Sequence, residues 1–286
     1  MRIANFKQFI ISFAIFLFAS FPVFAHEYWL EPRLYEIAPG DLLEADLRNG
    51  QHYKGNQLYF LKQFFTRFEI FNGEKTHKAT GSNGDQPALK FTTTKPGLHI
   101  ITYQSTYDTL TFKKWEKFVT YAKTQSLDGV VARHLERGLP QKFFKEDYAR
   151  TIKALVRVGE GKGQDKHTGL PYEFVAQDNP YTMGANPDDD DVFLTVRLFL
   201  DEKFAPDKQV LIFQNNGKIS QSVTRTDAQG FAKIPLKGGG KFMLSSVHMF
   251  EGDDDSNTKL PEWLSYWANL TFALPGADAL LKKAAE

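Results

Sequence analysis

Turn residues interrupt this chain at short intervals, and that punctuation limits its fold more than any other feature. Pro39-Gly40, Asn49-Gly50, Asn72-Gly73, Gly81-Ser82-Asn83-Gly84 and Pro96-Gly97 separate runs at 42–47, 64–71, 88–93, 98–104 and 112–121. Such runs are rich in aromatic and branched residues and too short to be stable helices, so they predict strands of an antiparallel β-sandwich. The pattern returns at 172–176, 192–200, 209–214, 220–226, 232–236, 241–248 and 264–273, with Asn215-Asn216-Gly217 and Thr226-Asp227-Ala228-Gln229-Gly230 as turns. The expected fold is mainly β, with two immunoglobulin-like antiparallel β-sandwich domains.

Between the two strand-rich stretches the period changes. Ser126 precedes Leu127, Val130, Val131 and Leu135, and after Gly138 and Pro140 the residues Phe144, Tyr148, Ile152 and Leu155 recur at helical spacing until Gly159. This predicts a helical hairpin. Its basic residues Arg133, Arg137, Lys142, Lys145, Arg150, Lys153 and Arg157 read as a solvated face, with Glu146 and Arg150 as an i,i+4 pair. Residues 159–166 read as a charged, glycine-rich linker. The resulting division is 1–25 signal peptide, 26–122 N-terminal sandwich, 123–160 helical hairpin, 161–275 C-terminal sandwich and 276–286 tail.

The N-terminal segment bears on location. Arg2 and Lys7 precede an apolar run from Phe9 to Phe24, and Val23-Phe24-Ala25 has the small or branched residues a signal peptidase accepts. Cleavage after Ala25 would export the chain, making it periplasmic or secreted, with no further stretch long enough to span a bilayer. The full chain has 35 basic and 34 acidic residues; losing Arg2 and Lys7 leaves 33 against 34, a net charge of −1. No global basic field is available for nucleic acid. The chain has no cysteine, which removes disulfides, thiolate ligands and thiol nucleophiles.

Cleavage there would also create chemistry. His26 would carry a free α-amine, with a reference pKa near ~7.7, beside an imidazole near ~6.5, and both can release protons to a metal at neutral pH. Two nitrogens from His26 and a third from another histidine suit copper or nickel in tetragonal geometry. His52, in the glycine-flanked Gly50-Gln51-His52-Tyr53-Lys54-Gly55, is the expected third donor. His77, His134 and His167 read as exposed, and His99 and His248 as structural strand residues. The acidic runs 188–191 and 253–255 lack the spacing of a calcium loop and read as solvated.

The sequence has no GxSxG, HExxH, GxxxxGK[ST] or GxGxxG motif in the required context. No catalytic set is read from it, and whether the chain is an enzyme stays open. His26-Glu27-Tyr28-Trp29-Leu30-Glu31-Pro32, Gly50 to Gly55, Tyr148 to Lys153 ahead of Val158-Gly159, Gly169 to Glu173, Asn179-Pro180-Tyr181, Thr226 to Gly230 and Leu270-Thr271-Phe272 together resemble a bacterial periplasmic family of unknown function. That family was formerly labelled a nickel-uptake substrate-specific transmembrane region. The resemblance implies a β-rich exported protein associated with nickel or cobalt uptake.

Three functions compete on these residues. The first is a periplasmic metal-binding accessory protein using His26 and His52, handling nickel, cobalt or copper beside a membrane or outer-membrane uptake system. The second is an interaction or carbohydrate-binding sandwich without metal. The third is copper-dependent oxidation at an N-terminal His brace.

Overall fold

In a computed structural model the described residues are 26–184, 186, 189, 191–252 and 261–285. The expected signal peptide and, apart from Asp189 and Asp191, both acidic runs lie outside them. The described chain is mainly β, and its strands form three sheets. The N-terminal sheet holds Glu27–Pro32, Leu42–Gln51, Lys54–Leu58 and Leu89–Thr92. A third sheet holds Tyr172–Ala176, Phe193–Leu200, Lys203–Phe204 and Phe231–Pro235.

The central sheet has ten strands and draws on both halves of the sequence. Its order is Ile219–Arg225, Gln209–Asn215, Lys241–Glu251, Trp263–Ala273, Phe144–Val158, Gly97–Ser105, Phe65–Phe71 and Thr76–Lys78, with Glu36–Ile37 and Asp108–Phe112 also on Phe144–Val158. Trp263–Ala273 runs parallel to Phe144–Val158, which pairs Arg150 with Trp267 and Glu146 with Trp263. On its other side Phe144–Val158 is antiparallel to Gly97–Ser105.

The helix expected over Phe144 to Leu155 is thus corrected to a strand, the fifteen-residue Phe144–Val158. Side chains alternate along it. Ile152, Ala154 and Val156 pack with Leu30, Leu43 and Leu47 of the N-terminal sheet, while Leu155 packs with Tyr172, Phe174 and Leu194 of the third. A strand buried on both faces has no polar–apolar alternation to reveal it.

Helices do occur in this region, but earlier in the chain. Trp115–Thr124, part of which was expected to be strand, buries Phe118, Tyr121 and Ala122, and Val130–Glu136 buries Val130 and His134. Gly129 with φ 78° occupies the N-cap of the second helix, rather than Ser126. Both helices cover the Phe144 end of the central sheet through Phe112, Phe144, Trp263 and Trp267.

His134 is fully buried, contrary to the exposed position expected for it. Trp263 Nε1 donates to its Nδ1 at 2.9 Å, and its Nε2 donates to the Pro140 carbonyl at 3.1 Å. Burial lowers its pKa, so the ring is a neutral structural link between helix and sheet. His77 and His167 are half-buried rather than exposed.

The solvated basic face is corrected in part: Arg133, Lys142 and Lys145 are exposed as expected. Arg150 and Lys153 are buried, at 7% and 1% exposure. Residues 159–166 also do more than link, because Asp165 is buried and paired with Lys153 at 3.0 Å.

Candidate ligand-binding cavity

Asn49-Gly50 is not the hairpin turn it resembles. The turn lies at His52 and Tyr53, with φ of 51° and 60°, while Gly50 faces Gly55 across the two strands. Gly55 is required there, because a Cβ on it would lie 2.7 Å from Cη2 of Trp29. The hairpin thereby lays Trp29 and Tyr53, with ring centroids 5.6 Å apart, onto Leu211, Phe213 and Met243 of the central sheet.

The two expected metal ligands sit in different surroundings. His26 is exposed and borders an open hollow of 540 Å³ with Asn49, Gly50, Gln51 and Gly55. His52 is exposed at the turn, where its Nδ1 lies 3.1 Å from the Gln221 Oε1 and its ring 6.5 Å from Phe213. Glu27 is buried near His52. Burial pushes its carboxyl up against the pull of the His52 amide and ring, and its Oε2 has no hydrogen-bond partner. Among the described residues no three His, Asp or Glu side chains are grouped to hold a metal ion.

A more developed site lies where the N-terminal sheet meets the strands Phe144–Val158 and Gly97–Ser105. Glu146, Tyr148 and Arg150 alternate onto one face of the central strand. This face borders a cavity of 380 Å³ walled by Tyr28, Asn49, Phe64, Tyr103, Tyr107 and Asp108 as well as Tyr148 and Arg150.

The cavity's polar groups are mostly fixed. Tyr148 donates to Asp108 Oδ2 at 2.9 Å, Tyr107 to the Tyr266 hydroxyl at 2.9 Å, and Tyr103 to the Phe64 carbonyl at 3.2 Å. The Asn49 Oδ1 is buried without a partner. Burial raises the pKa of Tyr28, Tyr103, Tyr107 and Tyr148, the last to about 12, so the walls offer neutral hydroxyls.

Arg150 is the cation of this site. Its backbone N–H donates to Ser105 Oγ at 2.8 Å, and its guanidinium lies 4.4 Å from the Trp267 ring centroid, 4.9 Å from Tyr148 and 5.9 Å from Tyr28. Burial lowers its pKa, but an arginine starts so high that it remains charged. Sequence reasoning placed this residue on a helix and missed it. The available signal was the aromatic-rich alternation Glu146-x-Tyr148-x-Arg150.

The chain matches the model of a domain of unknown function, DUF4198, over residues 23–250, well over half its length. The chain belongs to the DUF4198 family. The match is compatible with the resemblance read from the motifs, and the family description assigns no activity. No curated protein matches the sequence.

Among solved structures, this chain is similar to the D0–D1 domain of intimin, at 14% identity over 85% of this chain and 97% of that one, with a TM-score of 0.23. A tetra-tandem repeat from the extending region of a large adhesion protein matches at 9% identity over 87% and 49%, with a TM-score of 0.22. Salmonella alpha-2-macroglobulin reacted with methylamine matches at 10% identity over 88% and 15%, with a TM-score of 0.19. Scores this low carry no argument about function. Among the described residues no helix is long and apolar enough to cross a membrane.

Proposed function

We propose that this protein is an exported binding module that holds a small organic ligand in the Arg150 cavity without turning it over. One observation supports this most: a preformed cavity of 380 Å³ in which aromatic walls surround a buried cation. Ligand sites combine apolar and aromatic walls with a few fixed polar groups, and this cavity has that composition. The test is a thermal-shift screen of small polar and aromatic compounds against wild type and Tyr148→Ala. A compound that raises the wild-type Tm and loses its effect in Tyr148→Ala is the expected result. A screen with no shift at millimolar concentration overturns the reading.

A second reading retains metal handling for nickel, cobalt or copper, with His26 and His52 as ligands and a membrane uptake system as partner. It is favoured by the exposed position of His26 at the open hollow, where an α-amine released by cleavage after Ala25 would be free to join it. Protons compete for these nitrogens, so copper(II) binding by the mature protein should weaken as pH falls below roughly 6. Extending the N-terminus by one residue converts the amine to an amide and should remove most of the affinity. Equal copper affinity in calorimetry of the mature and extended proteins rules out the site.

A further inference from the structure

Two cations are buried three residues apart on the same strand, and the fold treats them differently. Lys153 has Asp165 at 3.0 Å, Glu173 at 2.6 Å and the Lys166 carbonyl at 2.9 Å. Arg150, on the opposite face, has no carboxylate within ion-pair distance among the described residues; its side chain interacts with the Tyr148 hydroxyl, and its Nη1 has no hydrogen-bond partner. Three aromatic faces offset part of the burial cost, but none of them carries the negative charge that pairing the ion would need. Two carboxylates act on it only through space: Glu146, which accepts from Tyr121 and Ser265, and Glu27, beside His52. Among the described residues no carboxylate pairs directly with Arg150, and the cavity leads to it.

The cavity's other walls narrow the choice of anion. It has one cation, and Asp108 stands in its wall, so a second negative charge on the ligand would be repelled. A planar monoanion that engages the guanidinium fork is favoured over a phosphate dianion. Beyond the shared residues Tyr28, Phe64 and Tyr103 lies a second cavity of 190 Å³, lined by apolar side chains that include Leu58, Phe60, Phe65 and Phe68. Its size exceeds the roughly 150 Å³ apolar cavity known to admit benzene.

We propose that the ligand is an organic monocarboxylate with a hydrophobic arm about the size of a phenyl ring, its carboxylate on Arg150 and its arm in the Phe60–Phe65–Phe68 cavity. This rests on the binding-module reading and gives that ligand its chemical class.

The test is calorimetric titration of the mature protein with 3-phenylpropionate, alongside 3-phenylpropan-1-ol, acetate and phenyl phosphate. The phenylpropionate should bind at least about 10-fold more tightly than the other three, and Arg150→Met should weaken it by about 30-fold or more. Arg150→Met should also melt above the ligand-free wild type, since it removes an unpaired buried charge, whereas a merely structural arginine would lower the Tm. If the Met variant does not fold, Arg150→Lys keeps the charge, loses the fork and should bind at least about 10-fold more weakly. Tighter binding of phenyl phosphate, equal binding of the alcohol, or undiminished binding by the Arg150 variants overturns the carboxylate assignment. Failure of every probe also overturns it, and the binding-module reading falls only if the wider thermal-shift screen is empty as well.

Discussion

Lys153→Met is expected to destabilise the fold by about 3–5 kcal/mol at pH 8, a large share of the stability of an ordinary domain. The reason is what the substitution leaves behind. Asp165 and Glu173 have fully buried side chains, and Lys153 is their common cation. Backbone donors from Lys166 and Ala176 support Asp165, and Thr168 and Leu170 support Glu173, but these are dipoles and do not neutralise two charges. Burial already pushes the Asp165 carboxyl up despite Lys153. Burial works on Glu173 too, yet Lys153 and Thr168 hold it below the usual range. Without the lysine both carboxyls should take up protons more readily, so the loss at pH 5 should be smaller than at pH 8. Urea unfolding at the two pH values measures this. Lys162→Met, which removes an exposed, solvent-screened pair with Glu160, is the control and should change stability far less. A Lys153→Met loss no larger than the control's would mean that the cluster does not hold the third sheet and the 159–166 segment to the central strand.

The sequence pattern made most of the strands legible, and the reason for the exceptions is physical. Runs such as 42–47, 98–104, 209–214 and 264–273 lie within observed strands, and the last two stop where Asn215-Asn216-Gly217 and Pro275-Gly276 turn the chain. The central strand was misread because Phe144, Tyr148 and Ile152 are four residues apart, a spacing that satisfies a helical turn and also the even period of a strand. Its burial on both faces removed the polar alternation that would have separated the two. That one error hid the candidate cavity. On a helix, Arg150 and Lys153 would share a solvated side; on a strand they point to opposite faces, one into a charge cluster and one into an aromatic cavity. His134 was misjudged for a similar reason, since nothing local to it shows that Trp263, well over a hundred residues away, supplies its hydrogen bond.

Stability should also depend on pH through Glu146, whose buried carboxyl is pushed up to about 7. Desolvation is the main cause. Hydrogen bonds from Ser265 and Tyr121 and the charge of Arg150 pull the other way without prevailing, and Oε2 has no partner. The folded chain thus holds this proton more tightly than the unfolded chain, whose value is the ordinary 4.5. The stabilising contribution is complete below about 4.5 and is lost as pH rises through 7, amounting to about 3 kcal/mol. Exposed carboxylates such as Asp207, which its partner Arg225 holds low, act in the opposite sense, so the wild-type profile alone mixes both effects. Glu146→Gln separates them, because the distant groups cancel in the difference between the two proteins. The variant should gain on wild type by roughly 2–3 kcal/mol between pH 5 and pH 8, read as a change in urea midpoint at constant m-value. A difference that stays constant across that range means Glu146 does not titrate there. A titrating Glu146 becomes negative on the face of the strand that carries Arg150, so the same pH rise that weakens the fold would begin to supply the counter-charge that Arg150 lacks.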